Sequence, residues 1–309
     1  MNHVLFKQVV PKDRLEHHIN KEQIISPKNS IDAMYKDLIT HRKSLVESIF
    51  QEYQFAGMIS LNVFEIRNFP QEFNGKTKFL EQLKRKLKTS NVLNTSMKPE
   101  IDKVPQIDLI QEIENGLRIQ WISGARVEVA DGYGIITRID TRRVTTIIRF
   151  GSPLFIEVRA GYKASTTYLK LIQGLVSDDV KPLEFEKVPL TKVTEKETEE
   201  IARILKAGLL EGEHLGSNGI GRYAVSADRD TKDLRDLEEY KQSYMTKQYL
   251  AQTLNVYYEE QDSGYSTNVK FKVNMNGGFQ FKTKVSEKII KRIFDVFAEV
   301  RYKQVVTVE

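Results

Sequence analysis

The chain has no cysteine among its 309 residues. That excludes disulfide frameworks, thiolate metal sites and thiol nucleophiles, and it fits a cytoplasmic or otherwise intracellular setting. No apolar stretch approaches the roughly 18 residues a membrane-spanning helix needs, so no membrane partner is expected. Residues 1–10 carry Lys7 and no long apolar run, which does not read as a signal peptide. Histidine is scarce: His3, His17, His18, His41 and His214 show no metal-ligand spacing beyond one adjacent pair, which cannot share a helical face.

What is present is an ordinary globular composition. Hydrophobic residues make up 40% and charged residues 29%, which excludes bulk disorder, collagen and coiled-coil rods. The length argues for two domains or one elaborate one. Lys and Arg number 47 against 42 Asp and Glu, a formal net charge of +5, which alone decides little about partners.

The spacing of apolar and turn residues predicts an α+β fold: an N-terminal helical region with one strand over 1–106, a central β-meander and helix over 107–190, and a third division over 191–309. Residues 1–25 read as a polar arm. A helix is expected over 26–53, opening at Ser26-Pro27, then a strand over 58–67 and a basic helix over 77–87. Residues 89–106 read as a linker and Asp108 to Asn115 as a short helix. Strands follow over 117–129, 135–139, 144–150 and 154–160, the first two separated by Asp131-Gly132-Tyr133-Gly134, and then a helix over 163–176 and an extended connector over 177–192. Thr194 and Glu197 form a capping-box pattern. A Gly-rich loop spans 208–221, a long charged helix runs from about 228 to 250, strands follow over 254–259, 269–275 and 279–285, and Ser286 caps an amphipathic helix.

Two segments share one plan. The hairpin 144–160 with its helix and the hairpin 269–285 with its helix repeat each other's strand and loop lengths at an offset of 125 residues. A true duplication would give two antiparallel β-hairpin–helix modules in a pseudo-duplicated curved sheet backed by helices. Such a layout resembles, in topology only, the duplicated saddle of TATA-binding proteins, and no residue motif here carries that family's function.

The last hairpin alternates cleanly. Val269, Phe271, Val273 and Met275 interleave with Lys270, Lys272 and Asn274, and Phe279, Phe281 and Val285 interleave with Gln280, Lys282 and Lys284. A three-residue loop at 276–278 would set Lys272 opposite Lys282 and Lys270 opposite Lys284. Facing like charges are destabilising, and a sheet accepts them more readily beneath a polyanion or a neutralising carboxylate such as Glu259. Tyr257, Tyr258 and Tyr265 flank this ladder.

Charge is distributed unevenly. Residues 116–163 hold eight basic and four acidic groups, residues 267–309 nine and four, and residues 191–240 eight and twelve, so two basic β-modules flank an acidic stretch. In the first module Arg138, Arg142, Arg143, Arg149 and Arg159 offer bidentate contacts to phosphate, with Asp140 and Glu157 near enough in sequence to pair with them.

Gly216-Ser217-Asn218-Gly219-Ile220-Gly221-Arg222-Tyr223 has the glycine spacing of a phosphate-binding P-loop. Arg222 and Tyr223 stand where that motif needs Lys and Ser or Thr, so nucleotide hydrolysis is not expected, although backbone N–H groups and Arg222 could contact a phosphate. Glu211, Glu213, His214, Asp228 and Asp230 are candidate ligands for Mg or Mn in a nuclease. Asp140 with Glu157 and Arg159 is a second, degenerate acidic pattern of that kind. The expectation is a non-enzymatic protein, with no cofactor, that binds DNA or RNA through its basic β-modules, including Lys270, Lys272, Lys282 and Lys284, inside a larger assembly, with oligomerisation possible. The alternatives are a metal-dependent nuclease and a protein-interaction subunit of a mobile-element, virus-defence or viral complex.

Overall fold

The computed structural model describes residues 3–130, 132–177 and 183–306. The expected turn residue Asp131 and residues 178–182 of the expected connector lie outside the described residues. The fold is α+β, with two compact units: residues 61–191, and residues 1–60 together with 192–309. Among the described residues no helix is long and apolar enough to cross a membrane.

Four helices come first: α1 (His3–Val9), α2 (Lys12–Lys21), α3 (Ile31–His41) and α4 (Lys43–Tyr53). The expected polar arm is therefore two helices. Phe6, Val10, Leu15 and Ile19 bury against Met34, Leu38, Val46, Ile49 and Tyr53, and four widely spaced apolar residues suffice because their partners supply the rest of the core. The single helix expected over 26–53 breaks at Arg42, whose backbone leaves the helical region (φ −146°, ψ 60°) while its side chain holds Glu22 at 2.6 Å. Its true start is Ser30, whose hydroxyl accepts from the Ala33 N–H.

Unit 61–191 contains β1 (Ser60–Ile66), α5 (Lys76–Leu87), β2 (Gln106–Ile113), β3 (Gly116–Ala130), β4 (Ile135–Arg149), β5 (Leu154–Val158), α6 (Tyr162–Val176) and β6 (Lys187–Pro189). The strands pair antiparallel in the order β2-β3-β4-β5-β1-β6. One face of this sheet buries Ile119, Trp121, Ile148 and Ile156 with Phe79 and Leu83 of α5 and Tyr168, Leu169 and Ile172 of α6. The Trp121 indole N–H donates to Thr146 Oγ1 at 2.9 Å, which satisfies both buried groups. The helix expected at 108–115 is β2. A register irregularity between Ile107 and Leu109 buries Ile107 and Ile110 three positions apart, and that spacing imitates a helix.

The other unit continues with α7 (Glu195–Leu205), β7 (Gly208–Leu215), β8 (Arg222–Ser226), α8 (Glu238–Ser243), β9 (Tyr249–Glu259), β10 (Ser266–Asn274), β11 (Phe279–Phe281) and α9 (Glu287–Val306). The antiparallel order is β11-β10-β9-β7-β8. The capping box at Thr194 and Glu197 is present, and Arg301 of α9 binds the same Glu197 at 2.7 Å. Two expectations are corrected here. The Gly-rich stretch 208–221 is mostly strand β7, with a turn into β8. The long helix over 228–250 is instead a turn, the short α8 and the first residues of β9.

Both hairpin–helix modules form, one in each unit. Arg149 pairs with Phe155 and Val273 with Phe279, so the two hairpins share a register at an offset of 124, one less than the strand ends suggest.

A buried polar network ties α2 and α4 to the later half of their unit. Arg14, with 4% of its side chain exposed, donates to Glu260 at 2.7 Å, to Ser263 at 3.2 Å and to Glu52 at 3.0 Å, and it lies over the Tyr265 ring. Lys288 holds the other Glu260 oxygen at 2.9 Å. Burial would raise the Glu260 carboxyl, but hydrogen bonds from Ser263, Lys288 and Arg14 overcome it and hold the group at about 2. Beside this network His18 is buried, with Nε2 lacking a hydrogen-bond partner; burial and the Arg14 charge lower it to about 4.

His18 makes stability depend on pH above the range of the carboxylates. Its folded pKa lies below the unfolded value of 6.5, so the unfolded chain takes up the proton first, and stability falls as pH drops from 6.5 to about 4. The expected loss is about 3 kcal/mol from this residue. The buried His214 is shifted in the same direction by desolvation and adds to the slope. Urea unfolding from pH 7.5 to 4 should show His18→Gln with a shallower decline than the parent chain; parallel curves would show that the imidazole does not drive it. The Glu260 contribution is lost only below about 4.5, as pH falls toward 2.

Candidate nucleic-acid interface

Two surfaces gather the basic residues, one in each unit. In unit 61–191, β3 and β4 pair along their whole length, and β4 runs unbroken through 140–143, where the sequence suggested a gap. The buried part of this hairpin ends at Val144. Beyond it, the eight pairs from Ser123–Arg142 to Ala130–Ile135 form a two-stranded ribbon, and every β4 residue on it is exposed. At the usual rise per residue the ribbon extends about 25 Å.

Facing residues share a side of the ribbon. One side carries Ser123 with Arg142, Ala125 with Asp140, Val127 with Arg138 and Val129 with Ile136. The other carries Gly124 with Thr141, Arg126 with Ile139, Glu128 with Thr137 and Ala130 with Ile135. Arginine thus projects from both sides. Arg138 meets Asp140 at 3.4 Å with both groups exposed, and Arg143, at the base, lies 3.7 Å from Asp108. Arg126 and Arg142 have no carboxylate partner among the described residues. Toward the tip Ile135 is 73% exposed, Ile136 48% and Ile139 50%. The aliphatic residues at the tip were not among the expected contact residues. Their signal was the β-branched content of β4, where five of the eight residues 135–142 are Ile or Thr.

Arg149 and Arg159 are placed differently. Both bind Glu157, Arg159 at 2.9 Å and Arg149 at 3.3 Å, and the Arg159 and Glu157 side chains are each only 2% exposed. These arginines are turned inward, where a carboxylate removed from water requires them. They do not join the ribbon's cations.

In the other unit the expected lysine ladder is displaced. The hairpin loop is three residues long but lies at 275–277, because the Asn274 N–H pairs with the Gly278 carbonyl. The register moves by two, which keeps every side chain on its expected face and changes every partner: Lys272 stands opposite Gln280, and the Lys282 N–H bonds the Lys270 carbonyl. Strand β11 ends at Phe281, so Lys284 is off the ladder. Its half-buried ammonium, with its pKa lowered by desolvation, donates to the carbonyls of Lys7 and Val10 at the end of α1. Lys272 ion-pairs with Glu213 of β7, and Lys282 donates to Gln280 at 2.9 Å. Glu213, rather than Glu259, is the neutralising carboxylate. The Lys272 hydrogen bond lowers its pKa, and Arg222 adds a contact at 3.3 Å. Of the four ladder lysines, Lys270 alone keeps an exposed ammonium with no partner among the described residues.

The candidate metal ligands do not converge. Glu211 and Glu213 lie on one face of β7 and His214 on the other, where it is fully buried against the Tyr240 hydroxyl at 2.9 Å. Asp228 caps its own turn, accepting from the N–H groups of Asp230 and Thr231. Among the described residues no group of three or more such side chains is placed to hold a metal ion. The second acidic pattern separates too: Asp140 is on the ribbon, whereas Glu157 pairs with Ile147, seven residues farther along β4. The turn 216–221 joins strand β7 to strand β8, so no helix follows it to present N–H groups to a phosphate.

The sequence matches no protein-family model and no curated protein.

Replacing Glu157 by Gln should remove the buried carboxylate that Arg149 and Arg159 share. The expected cost is about 3–5 kcal/mol in urea unfolding. A change under about 1 kcal/mol would show that Glu157 is not the group that holds Arg159 inward.

Proposed function

We propose that this protein binds nucleic acid through the phosphate backbone, as a non-enzymatic subunit of a larger assembly, with the β3–β4 ribbon as its principal contact. The observation that carries the reading is the exposure of the ribbon along β4, residues 135–142, beyond a base where Ile101 and Asp102 lie against Gly124. A lone two-stranded ribbon is marginal in water, and this one exposes arginines on both sides and isoleucines near its end. A two-stranded ribbon is one of the few protein elements that fits the major groove of a duplex. Arg126 and Arg142 supply charge for the phosphate backbone that no carboxylate among the described residues pairs with, and the exposed Arg138–Asp140 pair is weak enough to exchange for a phosphate. The isoleucines suit contact with thymine methyls or a wedge against a base step.

The same isoleucines favour a second reading, a protein-docking arm. Fluorescence anisotropy with labelled duplex DNA, duplex RNA and single strands, titrated over salt, separates the two. Arg126→Gln and Arg142→Gln should each weaken duplex binding and reduce the magnitude of the log K against log salt slope by about 0.9 for DNA, whereas Lys284→Gln should leave the slope unchanged. No binding to any of these nucleic acids at low salt, with the fold intact, would sink the reading. Capture of a protein partner that Ile135→Ser with Ile136→Ser abolishes would then support the docking arm.

A further inference from the structure

An open groove of about 1060 Å³ lies on the exposed face of the sheet in unit 1–60 with 192–309. Its floor is a patch of four side chains from two paired strands: Asn255 faces Lys270, and Tyr257 faces Asn268. Tyr257 is 64% exposed, an unusual position for a tyrosine on a strand. Strand β7 ends beside this patch at Gly208, so the floor past Asn255 is uncovered. The wall opposite comes from segment 226–233, pressed close to β7. A Cβ on Gly208 would sit 2.2 Å from the Lys232 carbonyl oxygen, so only glycine permits that approach.

The charges at the rim are not equivalent. Lys206, Arg229, Lys232 and Lys270 line the groove and have no hydrogen-bond or ion-pair partner among the described residues. The three acids that also line it are each engaged: Asp233 by Arg235 at 2.6 Å, Asp228 by its own turn, and Glu211 by the Thr253 hydroxyl at 2.9 Å. On the floor, the Asn255 amide reaches the Asn268 side-chain oxygen at 3.5 Å and its own side-chain oxygen is buried, while Asn268 is exposed. The groove therefore offers free cations at its rim, one aromatic face, and one exposed carboxamide.

We propose that this groove binds a nucleotide unit. The phosphate sits among Lys206, Lys232, Lys270 and Arg229, the base lies on the Tyr257 ring, and the exposed Asn268 amide meets the base edge. A bare phosphate would use only the rim, and an apolar ligand only Tyr257; a nucleotide uses all three kinds of group. The unit can be a free nucleotide or one residue of a single strand, and the site is built from residues of one unit and the ribbon from residues of the other.

Isothermal titration of the full chain at low salt with AMP, adenosine, inorganic phosphate and short oligo(dT) tests this. AMP or oligo(dT) should bind more tightly than adenosine or phosphate alone. Tyr257→Ala should weaken that binding by about tenfold without affecting phosphate, and Lys232→Gln with Lys270→Gln should weaken it by a similar factor. Both changes are at exposed positions, and thermal melts within a few degrees of the parent chain check the fold. AMP binding as tight as oligo(dT) identifies a free-nucleotide site, and binding of oligo(dT) alone identifies a single-strand site. Phosphate competing as well as AMP, or affinity unchanged in both variants, would overturn the proposal. Weakened duplex binding in Arg126→Gln with AMP or oligo(dT) titrations unaltered would keep the two sites distinct.

Discussion

The Arg14–Glu260 pair is the constraint on which the larger unit depends. Both charges are taken out of water, a step whose cost exceeds their attraction unless the remaining hydrogen-bonding groups are met. They nearly are: Glu52, Ser263 and Lys288 complete the shell and Tyr265 covers the guanidinium, leaving the Arg14 Nε alone without a partner. Burial raises the Glu52 carboxyl while Glu260 is held low, so the two acids divide one cation unequally, and Glu260 carries the firmer ion pair. The geometry leaves little freedom. Residues of α2, α4, the β9–β10 connection and α9 must all be in place for any of these charges to be tolerated.

The two candidate contact surfaces are unlike in kind. The ribbon is a pair of strands that outruns its helices, so that its β4 residues meet solvent on both faces. The groove is a sheet face that a neighbouring strand stops short of covering, with its cations on the surrounding loops. A ribbon engages a shape larger than itself; a groove selects something smaller. The ribbon uses none of the ladder lysines that alternation pointed to and the groove only Lys270, because Lys272 and Lys284 are engaged within the fold.

Much of the architecture was legible where one physical rule acted alone. The capping box at Thr194, the helices after each hairpin, and the buried parity of Val269, Phe271 and Val273 follow from local chemistry and period. Errors arose where two rules competed. In β7 the glycines signalled a loop, yet Gly208 is there because backbone presses against it, a tertiary fact with no local trace. In β2 a bulge turned alternation into an apparent helical spacing. Hairpin register escaped for a subtler reason: a shift of two leaves every face unchanged, so alternation has nothing to say about which lysine meets which. Ion-pair partners such as Glu213 for Lys272 join strands more than fifty residues apart, and no spacing in the chain announces them.

The span of the Arg14–Glu260 contact, 246 residues, has a consequence for the order in which the molecule is made. A chain emerging from a ribosome presents α1 to α4 long before Glu260 exists, so through most of synthesis Arg14 has only Glu52 and must stay hydrated. Residues 61–191 are contiguous and can close their own sheet as soon as they are out. The unit that begins first in sequence is thereby the one that finishes last. Until it does, the apolar faces of its early helices are the surface on which a chaperone would find the chain.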